Sequence, residues 1–594
     1  MWAKDLLDTL TDIFAAQKPA EETAVRSYTS GIVVPFLVGV AVAGLGLPAQ
    51  AATITVTTAA DVISDDGQCS LREAVIAANT DSALFSTAGE CIAGSGTDTI
   101  VLQAATTYIL SLDDDGGGHQ TDSGADNDDL DIASTITLQG NGAGIQRDTS
   151  VTCNPDNTAA KGEFRLFHVQ STGDLQMKDV GLYQGCADGS GFPHTAGGGV
   201  FVDAGGQFKI ANAQISNNKA TSLGGGVYSL STVTVTDSEI SSNGAGQDGG
   251  GLYNKGTLTI SSTGISDNGA GQNGGGLYND SGGQATITSA GISSNGAGQD
   301  GGGLYNKGTL TISNAGISDN GAGQNGGGLY NDSGGKVTIT SAGISTNGVG
   351  QDGGGLYNKG TLTIDVTGIS SNNAGQNGGG LYNDSGGTAT ITATEISFNN
   401  TPWAGGGLYV SSSSTVSLTN STLSGNSAGQ KGGGIHNLGT VKLSFVTVAS
   451  NSASSGGGIF NNATANIRQS IVAISPSGNN CSGSLTASGV NFATDTSCGS
   501  GFTSVTPAVL NLGPLTNNGG STQTHALQVP SAAIDAVPSG QCTDLNGNPV
   551  NQDQRGSGFP RPAGARCDAG AYEQQNPPTP TPTPTPTPPP TPRP

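Results

Sequence analysis

Eight cysteines, five histidines and one dense run of aspartates are the residues of this 594-residue chain whose types lend themselves to chemistry. The cysteines (Cys69, Cys91, Cys153, Cys186, Cys481, Cys498, Cys542 and Cys567) never form C-x-x-C, so zinc ligation is not expected. Neighbour pairing (69–91, 153–186, 481–498, 542–567) is the expected use, in an oxidising compartment. Calcium takes about six to eight oxygen ligands. The acidic stretch Asp113, Asp114, Asp115, continuing through Asp122, Asp126, Asp128, Asp129 and Asp131, is therefore the candidate calcium site and otherwise a solvated insertion. Asp544, Asn546, Asn548 and Asp553 form a second, weaker candidate, with glycine at the wrong position for an EF-hand loop. His119, His168, His194, His436 and His525 are scattered, and neither H-E-x-x-H nor G-x-S-x-G occurs. No other cofactor is expected.

The element that must position these residues is a repeat. A triple glycine followed by an aliphatic and usually an aromatic residue begins at Gly197, Gly224, Gly249, Gly274, Gly301, Gly326, Gly353, Gly378, Gly405, Gly432 and Gly456, in steps of 24 to 27 residues. A period of this size predicts a solenoid. In one unit, Leu252-Tyr253-Asn254 is a short strand entered by a glycine corner and Thr257–Ile260 alternates polar and apolar. Gly264–Asn268 is a third strand, and Gly269–Gln272 closes the turn. Three strands and three turns fit one rung of a right-handed parallel β-helix, an all-β solenoid. Longer units carry two extra residues in one turn, as at Asn279-Asp280-Ser281-Gly282-Gly283, where a strand register is not disturbed.

Equivalent residues should then stack. Ile215, Ile240, Ile265, Ile292, Ile317, Ile344, Ile369 and Ile396 form an inward row that Leu423 and Val448 continue. Three residues later come Asn218, Asn243, Asn268, Asn295, Asn320, Asn347, Asn372, Asn399, Asn426 and Asn451, expected to take left-handed corners and to bond amide to amide between rungs. Asn254, Asn279, Asn306, Asn331, Asn358 and Asn383 make a second structural ladder. Tyr228, Tyr253, Tyr278, Tyr305, Tyr330, Tyr357, Tyr382 and Tyr409 should face out if Leu252 faces in. They are either an aromatic stack along the sheet or a surface for sugar rings or protein.

Residues 249–300 and 301–352 differ at only six of 52 positions. Catalysis needs a unique constellation, so a surface repeated every second rung points to length, spacing or multivalent contact. Asp248, Asp300 and Asp352, with Lys255, Lys307 and Lys359, are expected to be solvated turn residues. Only the irregular rungs leave room for a unique cluster, for instance Arg165, Asp174 and Lys178.

Cys69-Ser70-Leu71-Arg72-Glu73-Ala74 has capping-box spacing at Ser70 and Glu73 and predicts a short helix from Leu71 that buries Leu71, Ala74, Val75 and Ala78. This segment resembles the CSLREA domain. Leu512-Gly513-Pro514-Leu515-Thr516-Asn517-Asn518-Gly519-Gly520, Thr524-His525-Ala526-Leu527 and Cys567-Asp568-Ala569-Gly570-Ala571-Tyr572-Glu573 together resemble the choice-of-anchor Q domain of bacterial surface proteins. More loosely, the repeats are similar to those of polymorphic outer-membrane proteins. These resemblances imply a bacterial cell-surface protein, although the tail shows neither the apolar segment nor the sorting motif of a covalent anchor.

Arg26, the apolar run Gly31–Leu47 and Ala49-Gln50-Ala51 read as an export signal behind an acidic extension, the alternative being a retained anchor. Pro577–Pro594 reads as a disordered, extended stalk of about 55 Å. Glycine supplies 98 residues, only 11% of residues are charged and the net charge is −24, which excludes bulk electrostatic grip on nucleic acid or anionic membrane. The expected organisation is a signal (1–51), a CSLREA-like cap (52–97), irregular rungs (98–196), regular rungs (197–470), an anchor-Q-like region (471–573) and the tail (574–594). No span remains in the mature chain. The expected function is that of a secreted or cell-surface, structural or adhesin-like protein whose glycan or protein partner is unnamed. The competing expectation is a β-helical polysaccharide lyase or glycoside hydrolase.

Overall fold

A computed structural model describes residues 51–112, 129–154, 163–188 and 192–575. The export segment, Asp113, Asp114, Asp115, Asp122, Asp126 and Asp128 of the calcium candidate, His119, and the Pro/Thr tail lie outside the described residues.

Thr257–Ser261 buries Leu258 and Ile260 and exposes its threonines, as the alternation dictates. The strand pairs in parallel with Gln284–Thr288, setting Leu258 over Ala285 and Ile260 over Ile287. Ile265 lies over Ile292 and Leu252 over Leu277 in the same way. This like-over-like register runs through the chain, and the fold is a parallel β-helix. Its long sheet counts 28 strand segments, and two narrower sheets count 14 and 10. A single apolar core fills the coil from Ile54 to Phe502, and each wholly buried isoleucine contributes roughly 1.5–3 kcal/mol.

Two local expectations are corrected. A regular rung such as 252–270 has four strand segments, because Gly264–Ser266 and Gly269–Ala270 are separate and belong to different sheets. The break falls at Asp267, whose φ is 56°. The left-handed corner is thus taken by the residue before each ladder asparagine (Asn217, Ser242, Asp267, Ser294), not by the asparagine itself. The asparagine side chain instead turns inward to hold that corner. Asn268 Nδ2 donates to the Ile240 carbonyl at 2.9 Å and to Asn295 Oδ1 at 3.0 Å, and Asn295 Oδ1 also accepts from the Asn268 amide at 3.1 Å. The second ladder bonds likewise, Asn254 Nδ2 to Asn279 Oδ1 at 2.8 Å. Glycine is required where the chain doubles back. Gly249 has φ 70°, and a Cβ on Gly250 would lie 2.4 Å from the Gly269 carbonyl oxygen.

The helix Leu71–Thr80 forms as its capping box predicts, with the Ser70 and Glu73 side chains each accepting from the other's backbone amide. It buries Leu71, Ala74, Val75 and Ala78 against the first rungs. Arg72 is held by Asp61 at 2.8 Å. The four disulfides join Cys69–Cys91, Cys153–Cys186, Cys481–Cys498 and Cys542–Cys567, the neighbour pairs.

At the other end, coil pairing continues past residue 471 to Thr503–Ser504. The segment that follows does not extend the coil. It contains the hairpin Leu512–Thr516/Thr524–Leu527 and the pair Val537–Pro538/Arg566–Cys567, and it folds back on the flank of the last rungs. Leu510, Leu527, Ala533, Val537, Val550 and Ala569 form a second core there with Phe445, Ile471 and Phe492.

Candidate functional site: a groove on one flank of the coil

The tyrosine row faces away from the coil core, as the period of two requires, yet it is not a surface. Tyr253, Tyr278, Tyr305, Tyr330 and Tyr357 are each 3–7% exposed. From Phe201 through Tyr228, Tyr253, Tyr278, Tyr305, Tyr330, Tyr357, Tyr382, Tyr409 and His436 to Phe460, successive rings stack with centroids 4.6–5.1 Å apart. The binding-surface reading of these tyrosines is therefore corrected to the aromatic stack, because stacking covers the ring faces and the turns wall their edges. Tyr253 donates to Asp280 at 2.8 Å, Tyr305 to Asp332 at 2.9 Å and Tyr357 to Asp384 at 2.7 Å. Burial first, and then these carboxylates, push all three phenols far above their ordinary pKa.

The turn charges are engaged as well. Asp248, Asp300 and Asp352 accept from the Asn273, Asn325 and Asn377 side chains at 2.8–2.9 Å, and burial raises their pKa. Lys307 lies 5.5 Å from the Tyr278 ring centre and 5.6 Å from that of Tyr305. The three aspartates and Lys307 are half-buried parts of the stack and not the solvated residues expected from sequence, whereas Lys255 is exposed as expected, 3.5 Å from Asp280.

Arg165, Asp174 and Lys178 do not converge. Arg165 is buried against Asp129 (3.1 Å) and over the Phe201 ring (4.8 Å). Asp174 faces Lys209 at 3.4 Å, and Lys178 is exposed, 3.9 Å from Asp179. Asp129 and Asp131, expected in a solvated insertion, are built into the coil, Asp131 lying 2.8 Å from His168 Nδ1. Asp203 lies 3.1 Å from Nε2. Burial alone would lower the His168 pKa; the Asp131 hydrogen bond and the Asp129 charge reverse this and raise it. The second calcium candidate is split too. Asp544 accepts from the Asn546 and Asn548 amides, whereas buried Asp553 holds Arg555 at 2.6 Å. Among the described residues no group of three His, Cys, Asp or Glu is placed to hold a metal.

Among the described residues one serine–histidine hydrogen bond stands out. Ser424 Oγ lies 2.9 Å from His525 Nε2, and His525 Nδ1 lies 2.7 Å from the Gly513 carbonyl. A carbonyl only accepts, so Nδ1 carries the proton and Nε2 accepts from the serine. Burial lowers the His525 pKa and keeps the ring neutral, with the Gly513 bond opposing. Both side chains are enclosed under the folded-back segment, so the pair fastens that segment. Thr422 donates to Gln554 at 2.6 Å, and Glu395 accepts from the Gln523 amide at 3.1 Å, on the same flank.

That flank holds the candidate site. Its outward row runs Thr107, Gly144, Gly181, Gln214, Glu239, Gly264, Gly291 and onward to Glu395, Thr422 and Thr447, one residue per rung in register. At the N-terminal end the row floors an open groove of about 1020 Å³, lined also by Thr106, Asn141, Asp179, Tyr183, Asn212, Asp237, Ser238 and Ser262. Tyr183 lies back along its own strand over two glycines. A Cβ on Gly181 would stand 2.2 Å from its hydroxyl oxygen, and one on Gly144 3.2 Å from its ring. The hydroxyl donates to Gln214 at 3.0 Å, and the Asn212 amide donates to Asp179. Asn141, Asn212 and Asp237 are left-handed corner residues, which throws their short polar side chains outward. Asn212, Gln214, Asp237 and Glu239 are exposed and Tyr183 is half-buried. No period marks these residues; Gly181-Leu182-Tyr183 is the only local signal, and it reads as ordinary strand.

The fold defines a parallel β-helix protein. No family model matches the chain and no curated protein does. Among solved structures, the pectate lyase Pel9A aligns with 81% of this chain and 88% of its own at 13% identity and a TM-score of 0.26. PfbA, a surface adhesin of Streptococcus pneumoniae, aligns with 58% and 82% at 11% identity and a TM-score of 0.24. Likeness at this level carries no argument about activity. No helix among the described residues is long and apolar enough to cross a membrane.

Proposed function

We propose that the protein is an exported, adhesin-like rod in which the regular rungs set length and stiffness and the groove near the N-terminal end makes the contact. One observation carries the reading: the tyrosine row and both asparagine ladders of the regular rungs are consumed by their own copies above and below, whereas the groove presents one-off, exposed polar groups with hydrogen-bonding capacity left beyond the Tyr183–Gln214 and Asn212–Asp179 bonds. Four disulfides agree with an extracellular location, and the export-signal and anchor-Q resemblances support a surface one.

The test is attachment of the purified mature chain to whole cells and matrix, beside a variant lacking residues 301–352. The deletion removes one copy of the 52-residue duplication and leaves the groove intact. Attachment retained by the shortened chain is the expected result. Attachment that falls in proportion to the rungs removed, or a mature chain that no cell or matrix retains, overturns the proposal.

A further inference from the structure

We infer that the groove is a binding site for a neutral, unbranched glycan laid along the coil axis; this rests on the adhesin-like reading and gives its ligand a chemical class. Three features of the groove converge. The first is a platform. Tyr183 presents a half-exposed ring fixed at its rim by Gln214 and seated on Gly181 and Gly144, where any larger residue would displace it. An aromatic face with a polar edge matches a sugar ring, whose C–H face is apolar and whose rim is hydroxylated.

The second feature is the polar set. Asn212, Gln214, Asp237 and Glu239 line the groove as exposed side chains. Amides offer both donor and acceptor, and carboxylates accept only, which suits hydroxyl groups that donate and accept in turn. The lining includes Asp179 as a third carboxylate and no lysine or arginine. A polyanionic chain of uronates or sulfated sugars would meet like charge there, on a protein of net charge −24. Asp179 already accepts from Asn212 and lies 3.9 Å from Lys178, and Glu239 accepts from Ser266 at 3.3 Å. The Asp179 charge is thus partly offset, and the exposed Asp237 and Glu239 carboxylates keep lone pairs for sugar hydroxyls.

The third feature is shape. The row crosses five successive rungs from Thr107 to Glu239, so the floor is roughly 20 Å long at ~4.8 Å per rung. It is not stopped beyond Glu239. The row continues as Gly264 and Gly291, and a Cβ on Gly291 would meet nothing within 4 Å. A trench open at one end and floored by glycine accepts a chain that runs on past it, which a monosaccharide pocket does not.

The experiment is calorimetric titration of the full mature chain with hexasaccharides of neutral β-linked glucose, mannose and N-acetylglucosamine, beside hexagalacturonate and the cationic glucosamine hexamer. At least one neutral hexamer should bind, and the charged ones should bind at least about tenfold more weakly. Tyr183→Ala should weaken the neutral hexamer by about tenfold or more, and Tyr183→Phe, which keeps the platform, by no more than about threefold. Glu239→Ala, at an exposed position, gives a second reading if Tyr183→Ala does not fold; it should weaken binding by at least about threefold. Absence of binding by all neutral hexamers, tighter binding of either charged one, or unchanged affinity in both Tyr183→Ala and Glu239→Ala overturns the assignment. Whole-cell attachment that survives Tyr183→Ala sinks the glycan site and leaves the rod reading intact. Attachment lost with residues 301–352 while the hexamer still binds sinks the rod reading alone.

Discussion

The same outward row of one flank is finished differently at its two ends. Around Gly144, Gly181, Gln214 and Glu239 it is an open groove. At Glu395, Thr422 and Thr447 it is roofed by the chain's own C-terminal segment, through Gln523, Gln554 and Ala571. Between them lie Gly264, Gly291, Gly316, Gly343 and Gly368, where the row has no side chain at all. A repetitive backbone thus offers one surface many times, and departures from the repeat decide what the surface does. Polar side chains without a copy above or below are left over for a partner; at one end that partner is internal.

The largest contrast is expected from aromatic truncation at the two ends. Phe445→Ala removes a wholly buried ring from the core under the folded-back segment, where Arg561 lies 4.2 Å above it. It should cost about 3–5 kcal/mol in denaturant unfolding and expose 512–573 to protease. Tyr183→Ala in the open groove should cost about 1 kcal/mol or less. In the plain middle, Asn320→Ala strips Asn295 of its acceptor for both amide and side chain and leaves the Ile292 carbonyl without its Asn320 donor. A loss of about 2–4 kcal/mol is expected, measured the same way.

Histidines sharpen the comparison by sign. His525, under the roof, has a lowered folded-state pKa, so its contribution is complete above about 6.5 and is lost as pH falls toward the folded value. His436 in the ring stack behaves alike, its pKa lowered to about 4 by burial and, secondly, by Lys431. His168, between Asp131 and Asp203 and beside Phe201 at the head of the ring stack, has a raised pKa; its contribution is complete below about 6.5 and is lost as pH rises through the folded value. Protease release of 512–573 should therefore increase from pH 7 to pH 5, and His525→Gln should flatten that dependence. The thermal midpoint of His168→Gln relative to wild type should fall most at the acid end. The smallest effect is a gain. Val366 is a β-branched residue at φ 48°, in a corner column where other rungs place Asn314 and Asn420. Val366→Asn should add about 1 kcal/mol in the same unfolding assay.

What was legible in the sequence was local or periodic. Ile265 and Asn268 recur at one spacing, and recurrence alone fixes what stacks on what. Ser70 and Glu73 meet across one helical turn, and the cysteines pair across loops of 17 to 33 residues. Direction was legible as well, since Tyr253 does face away from Leu252. Burial was not, because the walls that cover Tyr253 come from Asp280 and its turn one rung away. The roof was hidden for a related reason: Ser424 meets His525 and Thr422 meets Gln554 across 101 and 132 residues of chain with no repeat to announce the contact. The groove was illegible because its floor depends on what Gly144 and Gly181 lack.

The claim beneath all of this is that the duplicated rungs supply length and nothing else. Small-angle scattering of the chain lacking residues 301–352 tests it directly. Removing two rungs of ~4.8 Å should shorten the maximum dimension by about 10 Å with the cross-section unchanged. An unaltered maximum dimension, or a wider cross-section, would contradict it.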